Sequence, residues 1–176
     1  MTPTMPLAWG LAVSPAFRTR VYEVCEALGW TESHASWLMA AMAFETGRTF
    51  SAKTRNPRSS ATGLIQFMAS TARALGTTTQ RLAAMTDEDQ LRYVQRYFEP
   101  YADRIRSLED LYMAILWPAA IGKPNGARLW DAGSQAYLAN RGLDSNRDGR
   151  ITKGEAAAKV RDQLAEGLRH AWYPPR

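Results

Sequence analysis

Residues 37–47 read W-L-M-A-A-M-A-F-E-T-G, an apolar run that ends on one carboxylate. The preceding T-E-S-H combines a capping threonine, Thr31, with an acid in the first helical turn, so a helix is expected to start there. Ala35, Leu38, Met39, Met42 and Ala43 then form an apolar stripe that the rest of the chain must cover. Glu45 falls seven positions after Leu38 and three after Met42, and therefore shares their face. A carboxylate on such a face is desolvated, which raises its pKa and keeps it protonated closer to neutral pH. The helix C-terminus also disfavours its charge. A general acid needs this property. Taken alone, the helix favours a plainer reading, in which Glu45 turns to solvent or pairs with Arg48.

The next stretch, residues 48–62, is polar and rich in helix breakers, and reads as a long loop that could hold a short hairpin. Its Arg48, Lys53, Arg55 and Arg58 could meet an anionic polymer or could simply be solvated. Residues 63–68, G-L-I-Q-F-M, form a turn in which Gly63 permits a close approach. Gln66 is polar within an apolar run and must find a partner if buried, either a sugar hydroxyl or amide or a backbone group.

The rest of the chain reads as helices. Ser14-Pro15 starts one that Gly29 ends, after an irregular arm over residues 1–13. Further helices are expected from residue 69 to Gly76, over 86–98, over 107–117, over 134–140 and over 152–171. Pro100 and Pro118 interrupt the pattern. The last helix should pack back through Ala157, Val160, Leu164, Leu168 and Trp172. With 176 residues, 45% of them hydrophobic, one domain with a real core is expected. We divide it into a core over 14–130 and a C-terminal subregion over 131–176. Twenty-two basic against 17 acidic residues leave a charge of +5. That balance suits a polyanionic partner, but no Lys/Arg run supports specific nucleic-acid binding. Cys25, the single cysteine, sits in a helical apolar pattern as a small hydrophobe. No segment is apolar for long enough to insert in a membrane, and the N-terminus lacks a signal-peptide pattern. A monomer made in the cytoplasm is expected.

Residues 144–155, D-S-N-R-D-G-R-I-T-K-G-E, fit the twelve-residue calcium loop. Asp144, Asn146 and Asp148 stand at positions 1, 3 and 5, with Gly149 at the sharp turn. Arg150 offers its carbonyl, Thr152 stands at position 9 and Glu155 at position 12. A structural calcium ion follows from that pattern. The same residues would also make an Asp/Asn/Gly turn followed by a Thr152/Glu155 capping box.

Glu45, the loop after it and G-L-I-Q-F-M-A-S-T-A resemble the soluble lytic transglycosylase and goose-type lysozyme family. Thr46 stands where that family usually has Ser, and Ile65 where it has Met. The family's Tyr-Asn-Ala-Gly motif would fall on Trp117-Pro118-Ala119-Ala120, a clear departure. The segment 144–155 resembles the calcium loop appended to small bacteriophage wall-degrading proteins. The resemblance implies a mainly α, lysozyme-like fold with an EF-hand-like loop and helix at its C-terminal end. It implies cleavage of the MurNAc–GlcNAc bond of bacterial peptidoglycan, with Glu45 donating a proton and then taking one from the C6 hydroxyl. Thr46, Gln66, Phe67, Met68, Trp117 and Tyr137 are the implied substrate contacts. The protein would act on the wall after release, as a phage endolysin or on a virion. A hydrolytic muramidase would use a second carboxylate, for which Asp87, Asp103 and Asp110 are candidates. A non-catalytic, calcium-stabilised wall-binding or virion protein is the alternative of another class.

Overall fold

A computed structural model describes residues 3–175. The protein is mainly α. Helix α1 (Pro15–Ala27) begins at Ser14, whose hydroxyl accepts from the Phe17 N–H, with Pro15 in the first turn. Helix α2 (Glu32–Glu45) follows, capped by Thr31 and by His34, whose ring Nδ1 accepts from the Thr31 N–H. Residues 38–43 of α2 are all buried, so the helix is enclosed on every side rather than along one stripe. Helices α1, α6 (Leu108–Leu116) and α8 (Lys153–Arg169) pack around it.

Side-chain caps explain most of the other starts. Thr86 accepts from the Asp89 N–H at the head of α5 (Asp87–Phe98). Ser107 does the same for Asp110 at α6, and Ser134 for Tyr137 at α7 (Gln135–Asn140). Helix α3 (Ala69–Ala74) ends before Gly76 as expected, whereas α4 (Thr79–Ala84) was not anticipated. Pro100 and Pro118 each enter a short 3-10 turn.

Three features go beyond what the sequence pattern showed, the second of them a correction. The N-terminal arm is irregular but not peripheral. Leu7, Ala8 and Trp9 are buried, Leu7 and Trp172 exchange both backbone hydrogen bonds, and the Trp9 N–H reaches the Gly167 carbonyl. Second, the inner face of α8 departs from the expected one, because Leu168 is 46% exposed. The contact there is made by Gly167, where a β-carbon would stand 2.4 Å from the Trp9 ring. Third, residues 128–131 and 150–152 form two antiparallel strands, β1 (Arg128–Asp131) and β2 (Arg150–Thr152). Strands this short carry too few alternations to show in a sequence.

A contiguous apolar cluster runs from Leu7 to Val160, across both of the expected subregions. Among the described residues, no helix is long and apolar enough to cross a membrane.

Candidate active site

Glu45 is the last residue of α2, and the chain turns sharply after it. Thr46 makes that turn: its hydroxyl donates to the Met42 carbonyl at 2.7 Å and accepts from the Phe50 N–H at 3.0 Å. Gly47, Arg48 and Phe50 all lie in the left-handed region, at φ of 59°, 70° and 51°. Two of these are not glycine, so surrounding contacts must hold them there. Phe50 is buried edge-on against Phe17. Arg48 turns away from Glu45: its Nε donates to Gln163 Oε1 on α8, and its guanidinium lies over the Trp9 ring. The expected alternative of a Glu45–Arg48 pair is therefore not realised.

Among the described residues, the Glu45 side chain makes no hydrogen bond and no ion pair. Its side chain is only partly exposed. Burial pushes its carboxyl up from 4.5 to about 7. Tyr97 and Tyr112 are close enough to feel its charge. Burial first raises both phenols well above their ordinary value; the Glu45 carboxylate is the next cause at Tyr112, and at Tyr97 it follows Tyr101. Tyr97 is committed, donating to the Ala114 carbonyl at 2.6 Å. Tyr112 packs edge-on against Phe44, the neighbour of Glu45.

The 63–68 turn is built by the backbone. Thr62 and Phe67 exchange both hydrogen bonds, and the Gly63 N–H donates to the Thr54 carbonyl. Gln66 adopts φ 56°, and its Nε2 donates to the carbonyls of Gly63 and Thr54. Its partner is therefore the plainer of the two expected. Gln90, which the sequence pattern did not single out, is the brace behind this turn. It is 0% exposed, accepts from the Leu64 N–H at 2.7 Å, and donates to the Ala52 and Leu82 carbonyls. A β-carbon at Gly63 would stand 2.2 Å from Gln90 Oε1, and Gly63 has φ 85°. The glycine is therefore required twice over. The only cue to Gln90 in the sequence is an amide among the inward positions of α5.

The expected substrate contacts divide. Met68 is 45% exposed and Trp117, which caps the end of α6, is 43% exposed, so both offer apolar surface. Phe67 does not: at 2% exposure its ring is in the core, edge-on to Tyr97. Thr46 is equally buried and both of its hydrogen-bonding roles are internal, so it shapes the helix end from within. Tyr137 donates to Asp144 Oδ2 at 2.7 Å and so belongs to the C-terminal loop.

Two of the three candidate second carboxylates, Asp103 and Asp110, are not set to assist Glu45, and the third, Asp87, is engaged by a backbone N–H. Asp87 accepts from the Ala52 N–H. Asp103 shares a hollow with Thr31 and His34, at the N-terminal end of α2. Glu45 is at the other end of that 14-residue helix, about 20 Å away along the axis. Asp110 is buried against Lys153, whose Nζ lies 2.5 Å from it. Burial pushes the Asp110 carboxyl up, but Lys153 and the N–H groups of Gly122 and Arg106 outweigh it and hold it below its ordinary value. Cys25 is buried, and burial pushes its thiol up to about 12, which makes it inert as a nucleophile.

In the 144–155 loop, Asp144 Oδ2 accepts from the Gly149 N–H, Asn146 from the Asp148 N–H, and Asp148 from the Arg150 N–H. The capping box is also made: Thr152 accepts from the Glu155 N–H, while Glu155 Oε2 accepts from the Thr152 N–H and hydroxyl. Among the described residues, no three His, Cys, Asp or Glu side chains form a metal cluster. A cation would need the mixed carboxylate, amide and carbonyl set of this loop. One observation fits that set: Asp144 is 8% exposed, and its Oδ1 is enclosed without a well-formed hydrogen bond, although the N–H groups of Arg147 and Asp148 lie near enough to favour its charged form.

Comparisons with protein-family models, with curated proteins and with solved structures found no match.

Proposed function

We propose that this chain is a peptidoglycan-cleaving enzyme of lysozyme-like fold, a lytic transglycosylase acting on the MurNAc–GlcNAc β-1,4 bond. The observation that carries this reading is Glu45: a carboxyl at a helix end, unpaired, with its pKa raised to about 7 by burial. Near pH 7 such a group is populated in both forms. The protonated form gives its proton to the leaving glycosidic oxygen. The carboxylate left behind takes the proton from the C6 hydroxyl as that oxygen attacks C1 and closes the 1,6-anhydro ring. One residue with a pKa close to the working pH suits both steps. The distance of Asp103 and the ion pair of Asp110 favour this single-acid route over hydrolysis, which would use a second carboxylate to activate water. Trp117 and Met68 supply apolar surface for the sugar faces. A phage endolysin or virion lysin acting on the wall after release is the corresponding biological role.

The purified protein is expected to clear chloroform-treated Gram-negative cells, and Glu45→Gln to abolish the clearing. An equally active Glu45→Gln variant overturns the reading. Mass spectrometry of the released muropeptides should show anhydro ends; reducing ends would assign a muramidase instead. Sedimentation with sacculi and no clearing would assign the non-catalytic wall-binding class.

We also propose that the 144–155 loop holds a structural calcium ion through Asp144, Asn146, Asp148, the Arg150 carbonyl, Thr152 and Glu155. The unpartnered Asp144 Oδ1 supports it. Because Glu155 already caps α8, its second oxygen would be the one to turn to the ion. Calcium should raise the melting temperature and EGTA reverse it; a melting temperature indifferent to both overturns the assignment.

A further inference from the structure

Two of the three enclosed polar atoms without a hydrogen-bond partner among the described residues belong to the 144–155 loop and to the strand that pairs with it. One is Asp144 Oδ1, in the loop, and the other is Trp130 Nε1, on β1. Trp130 is 7% exposed and faces Ile151, its register partner on β2, which is wholly buried. The loop thus contains the strand that carries Trp130's neighbour. The pairing is stitched on both sides: the Ala132 N–H donates to the Gly149 carbonyl at 2.7 Å, the Lys153 N–H to Ala127 and the Gly154 N–H to Asn125. A shift of the loop must therefore move β1. Trp130 also makes an edge-to-face contact with Trp117, ring centroids 5.5 Å apart at 77°.

A buried indole normally has its N–H satisfied, and that bond fixes the ring. Here packing, with Ile151 and Trp117 among its neighbours, fixes Trp130 in place of that bond. Trp117 in turn is the cap of α6, with non-helical φ −156° and ψ 82°, so the helix does not dictate where its ring points.

We infer that Trp130 is a positioning residue that sets the exposed ring of Trp117, and that the 144–155 loop controls this setting through Ile151. The ligand class that an exposed indole face of this kind takes is a pyranose ring of the glycan. That choice rests on the function proposed above. The coupling from loop to Trp117 does not rest on the glycan reading, because it follows from the packing; its calcium trigger rests on the calcium site proposed above.

The test uses the full chain labelled with 5-fluorotryptophan, with the Trp117 and Trp130 resonances assigned from Trp117→Phe and Trp130→Phe. Calcium chloride is expected to shift both resonances, and EGTA to restore them. In Trp130→Phe the Trp117 resonance should start from a different position and no longer respond to calcium, while calcium binding by calorimetry persists. A Trp117 resonance that is silent to bound calcium, or that responds equally in Trp130→Phe, overturns the coupling. So does the absence of any calcium response at either tryptophan. On glycan strands, Trp130→Phe should raise KM about threefold and Trp117→Phe about tenfold, both with kcat nearly unchanged. A lower melting temperature with an unchanged KM would make Trp130 merely structural and overturn its positioning role. If Glu45→Gln is fully active, the glycan reading falls, and the fluorine spectra still decide the coupling.

Discussion

Glu45 and Asp110 are both carboxylates shielded by the same helix, α6, and they end in opposite states. Glu45 has no partner, and burial lifts its carboxyl to about 7. Asp110 is buried too, but Lys153 and two N–H groups hold it charged, below its ordinary value. The difference shows that burial alone does not assign a role to an acid. What decides it is whether a donor comes with the burial, because an unpaired carboxyl keeps its proton for a ligand and a paired one becomes structure.

The comparison can be broken most sharply at Glu45 itself. Glu45→Gln should lower the rate of glycan cleavage by about 10²–10⁴-fold, the usual contribution of general acid–base catalysis, with folding intact by circular dichroism. The converse experiment takes away the partner of Asp110. Lys153→Met should destabilise the protein by about 3–5 kcal/mol in urea melts, because it leaves a buried charge uncompensated. In that variant the Asp110 carboxyl should titrate upward, toward the behaviour of Glu45.

Acid titration separates the pair without mutating Asp110. Between pH 4.5 and about 7, the folded chain holds a proton at Glu45 that the unfolded chain has released. Its contribution to stability therefore falls as pH rises through that window, by up to about 3 kcal/mol. Asp110 runs the other way: its contribution is complete above its ordinary value of 3.8 and is lost as pH falls through the lowered folded value. Stability of wild type minus that of Glu45→Gln, measured from pH 4 to 8, should isolate the first slope; a flat difference would contradict the burial of Glu45. The smallest effect is expected at Thr46. Thr46→Val leaves the Phe50 N–H unpaired and should cost about 1–3 kcal/mol, whereas Thr46→Ser should be nearly neutral in the same melts.

Most of the helices were legible because their starts are written locally, although α4, capped as locally by Thr78, was missed. Ser14, Thr31, Thr86, Ser107, Ser134 and Thr152 each announce a cap within a few residues of the helix they begin. Glu45 was legible as an acid on an apolar face. That it is unpaired was not, because this depends on Gln163 and Trp9 drawing Arg48 away across the fold. The same holds for Gln90, whose importance lies in a turn 26 positions earlier, and for β1 and β2, which exist only as a pair. Phe67 shows the limit in the other direction. It stands within a motif-like segment, yet the Thr62–Phe67 bridge turns its ring into the core.

The seam between the N-terminal arm and α8 has a kinetic meaning. The indole N–H of Trp9 donates to the Gln163 carbonyl across 154 positions of chain, one of the longest-range contacts in the protein. Closing so large a loop is entropically expensive until most of the chain is already in place. The seam is thus expected to form late in folding. Trp9 and Gln163 are also the groups that draw Arg48 away from Glu45, so the carboxyl gains its isolated state only when the first and last parts of the chain have met.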